Sequence, residues 1–285
     1  MQAAQRHCLE VGETENFQLG SIPQSLLEEA TQRLRVFSTA LGWAGNHVGG
    51  GTFVRVNGRS GILTAGHVWD ALYNNRRDQP NVTMVVRDGL HSYSLPVEYF
   101  VPHIDVKRNS EAFGPDIQFL ELPPDTVSRI CAQKSFAEIS DNADRWLPLA
   151  LAEEGFGAVM GFAAEQTRKI ELGQNEILLE LRGGYISGIE QHQRIGDFDY
   201  VETIADPINA KGLPSTYGGV SGAGLWRVPI NKKLREPLTA ATMSEKFVFA
   251  GVAFYEEHMA DGRMKIRYHG PETVYRRVPR LVPKR

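Results

Sequence analysis

The sequence predicts an all-β fold, a sandwich or barrel rather than alternating strands and helices. Two observations carry that expectation. Apolar residues alternate with period two in many short runs, and turn residues separate the runs with almost no helical pattern between. After Gly49-Gly50-Gly51, the segments Thr52-Phe53-Val54-Arg55-Val56 and Ser60-Gly61-Ile62-Leu63-Thr64 flank Asn57-Gly58 and read as a hairpin. Further strands are predicted at 82–86, 93–100, 117–122, 157–161, 176–183, 200–204, 224–228, 247–254 and 264–268.

The N-terminal part departs from this pattern. Residues 1 to about 20 are polar and aperiodic. Ser21 can then cap a helix with Pro23 in its first turn, and Leu26, Leu27, Ala30, Leu34, Phe37 and Leu41 recur every three or four residues. That spacing predicts an amphipathic helix over 21–41 that docks its apolar stripe on the β body. The segment 131–150, carrying Asp141 and Arg145, lacks alternation and reads as a connector between two β units. Pro271, followed by Glu272 to Arg277, reads as a short closing helix. The expected organisation is an extension at 1–45, a first β unit at 46–130, the connector at 131–150 and a second β unit at 151–285.

Composition narrows the function classes. With 285 residues, 42% hydrophobic and 23% charged, the chain can bury a sizeable core. A net charge of −3 exerts no general pull toward nucleic acid or an anionic membrane. The basic tail (Arg276, Arg277, Arg280, Lys284, Arg285) reads as a solvated end. Only two cysteines occur, Cys8 and Cys131, which fits a reducing compartment better than a disulfide scaffold. The first ten residues have no apolar core of a signal peptide, and no apolar run reaches the roughly 18 residues that span a bilayer. The expectation is a cytoplasmic protein acting away from membranes and nucleic acid. The eight histidines show no ligand-like spacing, so neither a metal nor another cofactor is expected.

Three stretches carry chemistry. Thr64-Ala65-Gly66-His67-Val68 places an imidazole where an apolar strand gives way to a turn. Gly114-Pro115-Asp116-Ile117 places a carboxylate at the entrance of another strand. Asp105 is its rival, but Lys107 and Arg108 follow it and mark a wet loop. Gly218-Gly219-Val220-Ser221-Gly222-Ala223-Gly224 flanks a serine with glycines, which present backbone N–H groups without obstruction. Ser187, which lacks a glycine two residues before it, is a poorer source of such donors. A hydroxyl attacks an acyl carbon well when an imidazole takes its proton and a carboxylate fixes the imidazole tautomer. The residues offer one candidate for each role, in the order His67, Asp116, Ser221.

Over roughly residues 49–268, these motifs resemble the trypsin-like serine peptidases of the chymotrypsin fold, especially their bacterial disulfide-free, HtrA-like branch. The resemblance implies two six-stranded antiparallel barrels, His67 and Asp116 from the first and Ser221 from the second. It implies an oxyanion hole from the N–H groups of Gly219 and Ser221, and Ser215 at the base of the specificity pocket. It also implies that Gly251-Val252-Ala253-Phe254-Tyr255 pairs with a peptide or protein substrate, with Ala253, Phe254 and Tyr255 at the contact. Two positions depart from the family pattern. Val220 replaces the aspartate that pairs with a new N-terminus after zymogen cleavage, so activity is constitutive or set by a regulatory protein partner that orders the loops. Ala223 replaces a glycine, a small change. The absence of a PDZ-like extension weakens a direct HtrA assignment.

Other chemistries fit less well. An α/β-hydrolase needs the order Ser, Asp, His; Asp261 and His269 do follow Ser221, but the βαβ alternation is missing. The serious alternative is an inactive relative that binds peptide or protein, which is expected to have lost one of the three residues. The biological roles consistent with the resemblance are protein quality control and bacterial defence.

Overall fold

The computed structural model describes residues 24–43, 46–87, 91–108, 113–140, 143–151, 156–171, 177–205, 214, 216–228 and 247–285. Ser21, Pro23, Cys8, Asp141 and Ser215 lie outside the described residues. Those that remain form a mostly β protein of two units consistent with the chymotrypsin-like two-barrel fold, but the first is a half-barrel of eight strands rather than the expected closed six-stranded barrel; the second closes.

The first unit is a sheet of eight strands: β1 (Ser38–Trp43), β2 (Asn46–Val56), β3 (Arg59–Thr64), β4 (Asn81–Arg87), β5 (His91–Pro96), β6 (Val101–Pro102), β7 (Gln118–Glu121) and β8 (Ala137–Glu138). They run in the order β5-β4-β1-β2-β3-β7-β6, with β8 added parallel on β2. The Asn57-Gly58 turn joins β2 to β3 with positive φ at both residues, 51° and 77°, as a two-residue hairpin requires. Phe53, Ile62 and Leu120 share one face of the sheet and Leu63 and Phe119 the other, and all five are buried, so both faces of these strands are covered.

The second unit closes as a six-stranded barrel. Its strands are β9 (Phe156–Glu171), β10 (Ile177–Ile195), β11 (Phe198–Ala205), β12 (Gly224–Val228), β13 (Val248–His258) and β14 (Met264–His269), in the order β10-β11-β14-β13-β12-β9. Closure removes the free sheet edges that would otherwise invite pairing with another chain. Contacts that join the units include Phe37 packed against Trp226 of β12, ring centroids 4.9 Å apart, and the Gly50 N–H of β2, which donates to the Ser221 carbonyl at 2.7 Å.

Helices are few. Helix α1 (Gln24–Arg35) buries Ala30 and Leu34, and its C-terminus is closed by Lys134, whose Nζ donates to the Arg35 and Ser38 carbonyls at 2.7 and 2.9 Å. The helix expected to reach 41 therefore stops at Arg35. Phe37 and Leu41 continue its spacing by coincidence, since Ser38–Trp43 is an internal strand paired on both sides. The first β unit accordingly starts at residue 38 rather than 46, and the connector supplies β8 to it. Helix α2 (Gly66–Asn74) was not expected; Val68, Trp69 and Leu72 form its buried face. Helix α3 (Pro124–Ile130) precedes the connector, and α4 (Ala143–Ala150) forms its last part. At the C-terminus a π-helical turn (Thr273–Arg277) leads into α5 (Val278–Leu281), and Asp199 anchors it by accepting from the Thr273 and Glu272 backbone N–H groups. No described helix is long and apolar enough to cross a membrane.

Leu63 sits at the centre of the first core with 0% of its surface exposed. Leu63→Ala is expected to lower unfolding free energy by about 2–5 kcal/mol, read by urea denaturation followed by tryptophan fluorescence. A loss below about 1 kcal/mol would show that this layer is loosely packed.

Candidate active site

His67 is the second residue of α2, and Asp116 lies two residues before β7. Because β7 pairs directly with β3, the chain leaving β3 and the chain entering β7 emerge side by side. Asp116 then reaches His67 twice. Its Oδ2 lies 2.6 Å from His67 Nδ1, and its Oδ1 accepts the His67 backbone N–H at 2.8 Å. Gly66 permits the approach: a Cβ there would stand 2.8 Å from Oδ1. A carboxylate on Nδ1 places the ring proton there and leaves Nε2 as the basic nitrogen. The Asp116 side chain is 3% exposed and that of His67 is 35% exposed, so the acid is sheltered and the base is open. Burial disfavours ionised Asp116, but hydrogen bonds and charge from His67, with Arg108 farther away, outweigh it and hold the carboxyl below its ordinary value. Asp105 is exposed and forms no hydrogen bond to His67 among the described residues. A cavity of about 360 Å³, lined by Asp70, His103, Asp105 and Arg108 among others, opens beside Asp116.

Ser221 is carried to the same region by backbone contacts. Its carbonyl accepts from Gly50 N–H at 2.7 Å, and the Gly50 carbonyl accepts from the Thr64 hydroxyl, three residues before His67, at 2.7 Å. A side chain on Gly222 would collide with the Gly50 carbonyl and with Thr64. No hydrogen bond joins Ser221 to His67 among the described residues; bonds of this kind commonly tighten only in the substrate complex.

The backbone around Ser221 forms two consecutive turns. Val220 N–H donates to the Tyr217 carbonyl, and Ala223 N–H to the Val220 carbonyl, both at 2.8 Å. Each turn needs a positive φ at its third residue, supplied by Gly219 at 89° and Gly222 at 87°. From Thr216 to Ala223, every backbone N–H has an acceptor among the described residues except two, those of Gly219 and Ser221. Their direction follows from peptide planarity. The Gly218 carbonyl accepts from Ala164 N–H at 2.7 Å, so the Gly219 N–H in the same trans unit points the opposite way. The Val220 carbonyl is likewise engaged, which turns the Ser221 N–H away from it. Two free N–H groups beside a serine can bind an oxyanion. Val220 is buried, and the Ala223 methyl fills the space left by Gly161, so both departures from the resemblance are packing choices here.

Ala253, Phe254 and Tyr255 lie on β13. Ala253 does not offer its backbone to a substrate: its carbonyl accepts from Gly222 N–H and its N–H donates to the Ala223 carbonyl. This corrects the expected contact at Ala253, where β13 is bonded on both sides. Pairing with β12 ends at Val252, however, so from Phe254 onward β13 is paired only with β14. Phe254 is buried and Tyr255 half-buried.

Three further residues escaped the sequence reading. His47 Nε2 lies 2.9 Å from both the Gly219 and the Phe162 carbonyls, so it carries the ring proton and pins the turn from behind. Burial lowers its pKa, against those carbonyl bonds, and favours the neutral ring. Glu256 accepts from Thr216 Oγ1 at 3.2 Å and Tyr217 N–H at 2.8 Å, tying β13 to the segment before the serine. His269 contacts Asp116 from the second unit. A lone histidine or glutamate gives no sequence signal for such distant contacts. Among the described residues no group of three His, Cys, Asp or Glu side chains is placed to hold a metal ion.

No protein-family model matches the chain, and no curated protein does. Solved structures similar to it include kallikrein-related peptidase 10, with 10% identity, TM-score 0.48, covering 88% of this chain and 96% of that one. The inactive form of the Rv3671c protease has 13% identity and TM-score 0.46 over 92% and 97%. Neuropsin, a serine protease of mouse brain, has 13% identity and TM-score 0.45 over 84% and 91%. Likeness this distant transfers no residue role; the fold rests on strand pairing and the site on its own geometry.

Two outcomes are expected. Gly219→Ala would force a side chain into a positive-φ position and to within 2.7 Å of His47 Cδ2. A stability loss of about 1–2 kcal/mol or more is expected in a urea titration, and an unchanged midpoint would mean the turn is not held as described. Asp116, depressed when folded, contributes stability above its unfolded value of 3.8 that is lost as pH falls through the folded value. Asp116→Asn should therefore flatten the acid limb of stability against pH; an acid limb as steep as that of the parent would remove Asp116 as its source.

Proposed function

We propose that this protein is a serine endopeptidase that cleaves peptide bonds of a protein substrate through His67, Asp116 and Ser221. One observation carries the reading: among the described residues, the backbone N–H groups of the 216–223 segment left without an acceptor are those of Gly219 and Ser221, in the turn that packs against the chain leading to the His67–Asp116 pair.

In this mechanism Ser221 Oγ attacks the scissile carbonyl carbon while His67 Nε2 takes its proton. Asp116 holds the Nδ1–H and stabilises the imidazolium without accepting the proton. The carbonyl π electrons move onto oxygen, and the oxyanion is received by the Gly219 and Ser221 N–H groups. Collapse expels the amine, which leaves with the proton from His67, and an acyl-Ser221 ester remains. Water then attacks the ester, again giving its proton to His67, and Ser221 is regenerated with release of the acid. The substrate chain pairs with β13 beyond Ala253, at Phe254 and Tyr255. Val220 makes no salt bridge, so the turn needs no cleavage of this chain to form. The site of action is the cytoplasm, in protein quality control or bacterial defence, with activity either constitutive or set by a protein partner.

Ser221→Ala should abolish peptide hydrolysis and fluorophosphonate labelling with a nearly unchanged Tm, since loss of one member of such a set costs on the order of 10⁴ to 10⁶ in kcat. His67→Ala should fall as far. Asp116→Asn should keep the fold and lose most activity, while Asp105→Asn should do little. Undiminished hydrolysis in Ser221→Ala would end this reading, and labelling of Ser221 without any hydrolysis would favour a peptide-binding protein.

A further inference from the structure

His269, the last residue of β14, is 0% exposed and reaches out of the second β unit to the acid of the first. The Asp116 backbone N–H donates to its Nε2 at 2.9 Å. Because a backbone N–H can only donate, Nε2 holds a lone pair, and the single proton of the neutral ring sits on Nδ1. Nδ1 is buried and has no hydrogen-bond partner among the described residues. A polar ring kept in the core with one nitrogen unpaired costs stability, an exception that calls for an explanation.

The ring is held firmly. Phe254 stacks on it at 4.6 Å and 29°, with Tyr200 at 5.2 Å and Phe198 at 5.8 Å. Gly114 closes another side: a Cβ there would lie 3.5 Å from Cε1 and Nε2. The ionisable groups acting on the ring are Asp116 and, on β11, Asp199, whose carboxylate is itself bound by His192, Glu272 N–H and Thr273 N–H. Burial outweighs both carboxylates and pushes the His269 pKa down to about 4, so the ring stays neutral at physiological pH.

We propose that His269 is a positioning residue for Asp116, its Nε2 fixing the aspartate backbone so that the carboxylate aims at His67 only when the two β units are docked. The proposal rests on the hydrolase reading above. Asp116 is then gripped at four points: Oδ1 by the His67 backbone N–H, Oδ2 by the His67 ring and, at 3.4 Å, by Arg108, and its own N–H by His269. The ring bond comes from the group being oriented, and Arg108 is an exposed side chain. The bond to His269 comes from the opposite unit, through a ring buttressed by three aromatic rings.

The test compares His269→Phe, which keeps the ring volume and the stack but has no acceptor, with His269→Gln, whose Oε1 reaches about as far as Nε2. His269→Phe should lower kcat about 10- to 100-fold, the range for outer partners that orient a functional imidazole or carboxylate, with KM within about twofold. It should also shift the low-field NMR resonance of the His67 Nδ1 proton, and His269→Gln should recover most of both. In the wild-type chain, nitrogen-15 NMR should find His269 neutral, protonated on Nδ1, down to about pH 4. Native kcat with an unmoved His67 resonance in His269→Phe would overturn the proposal. So would a wild-type His269 that titrates as an ordinary histidine or carries its proton on Nε2, a readout that decides even if neither variant folds. The His67 resonance needs no substrate, so absence of hydrolysis by the wild-type chain would sink the hydrolase reading while leaving the positioning role to be judged.

Discussion

The bond from Gly50 N–H to the Ser221 carbonyl is the interaction on which the rest of the site depends. It joins β2 of the first unit to the serine turn of the second, beside the contact that His47 of the same strand makes with Gly219. Two glycines make it geometrically feasible. Gly50 lies against the Ala223 backbone, and Gly49 would strike Val68 and the Ser221 carbonyl if it carried a side chain. The same strand sends its Gly50 carbonyl to Thr64, so the approach to His67 and the serine turn share one seat. Misplacement by an ångström would leave three intact residues without joint chemistry, because reactivity of this type depends on near-attack geometry.

Rigidity around that seat comes from different sources on its two sides. The His67–Asp116 pair is held by charge and hydrogen bonding in a sheltered pocket, where each interaction is stronger than in water. The serine turn is held by its backbone: among the described residues most N–H and carbonyl groups of 216–223 are engaged, and the N–H groups of Gly219 and Ser221 are left over at the serine. Val220, buried and uncharged, sits within the turn and is held there by packing. His47 behind Gly219 serves the same end by a neutral route.

The β architecture was legible because period-two alternation and turn residues are local signals, and the Asn57-Gly58 hairpin formed as its chemistry dictates. Where the reading failed, local signals competed. Phe37 and Leu41 extended a helical spacing through what is a central strand, since strand burial and helix periodicity coincided over a few residues. Helix α2 was hidden behind Ala65-Gly66 and is only nine residues long. Asp116 was legible from its place before the apolar Ile117. His47 and His269 were not: their partners lie 172 and 153 positions away, and only the closed fold brings them together.

The central claim is that Ser221 is the nucleophile and that the Gly219 and Ser221 N–H groups receive the oxyanion. The most direct measurement is a crystal structure of the chain after reaction with a peptidyl fluorophosphonate. The account predicts phosphorus bonded to Ser221 Oγ, with one phosphonyl oxygen about 2.7–3.1 Å from both of those nitrogens. Attachment at another residue, or a phosphonyl oxygen turned away from the Gly219 N–H, would contradict it.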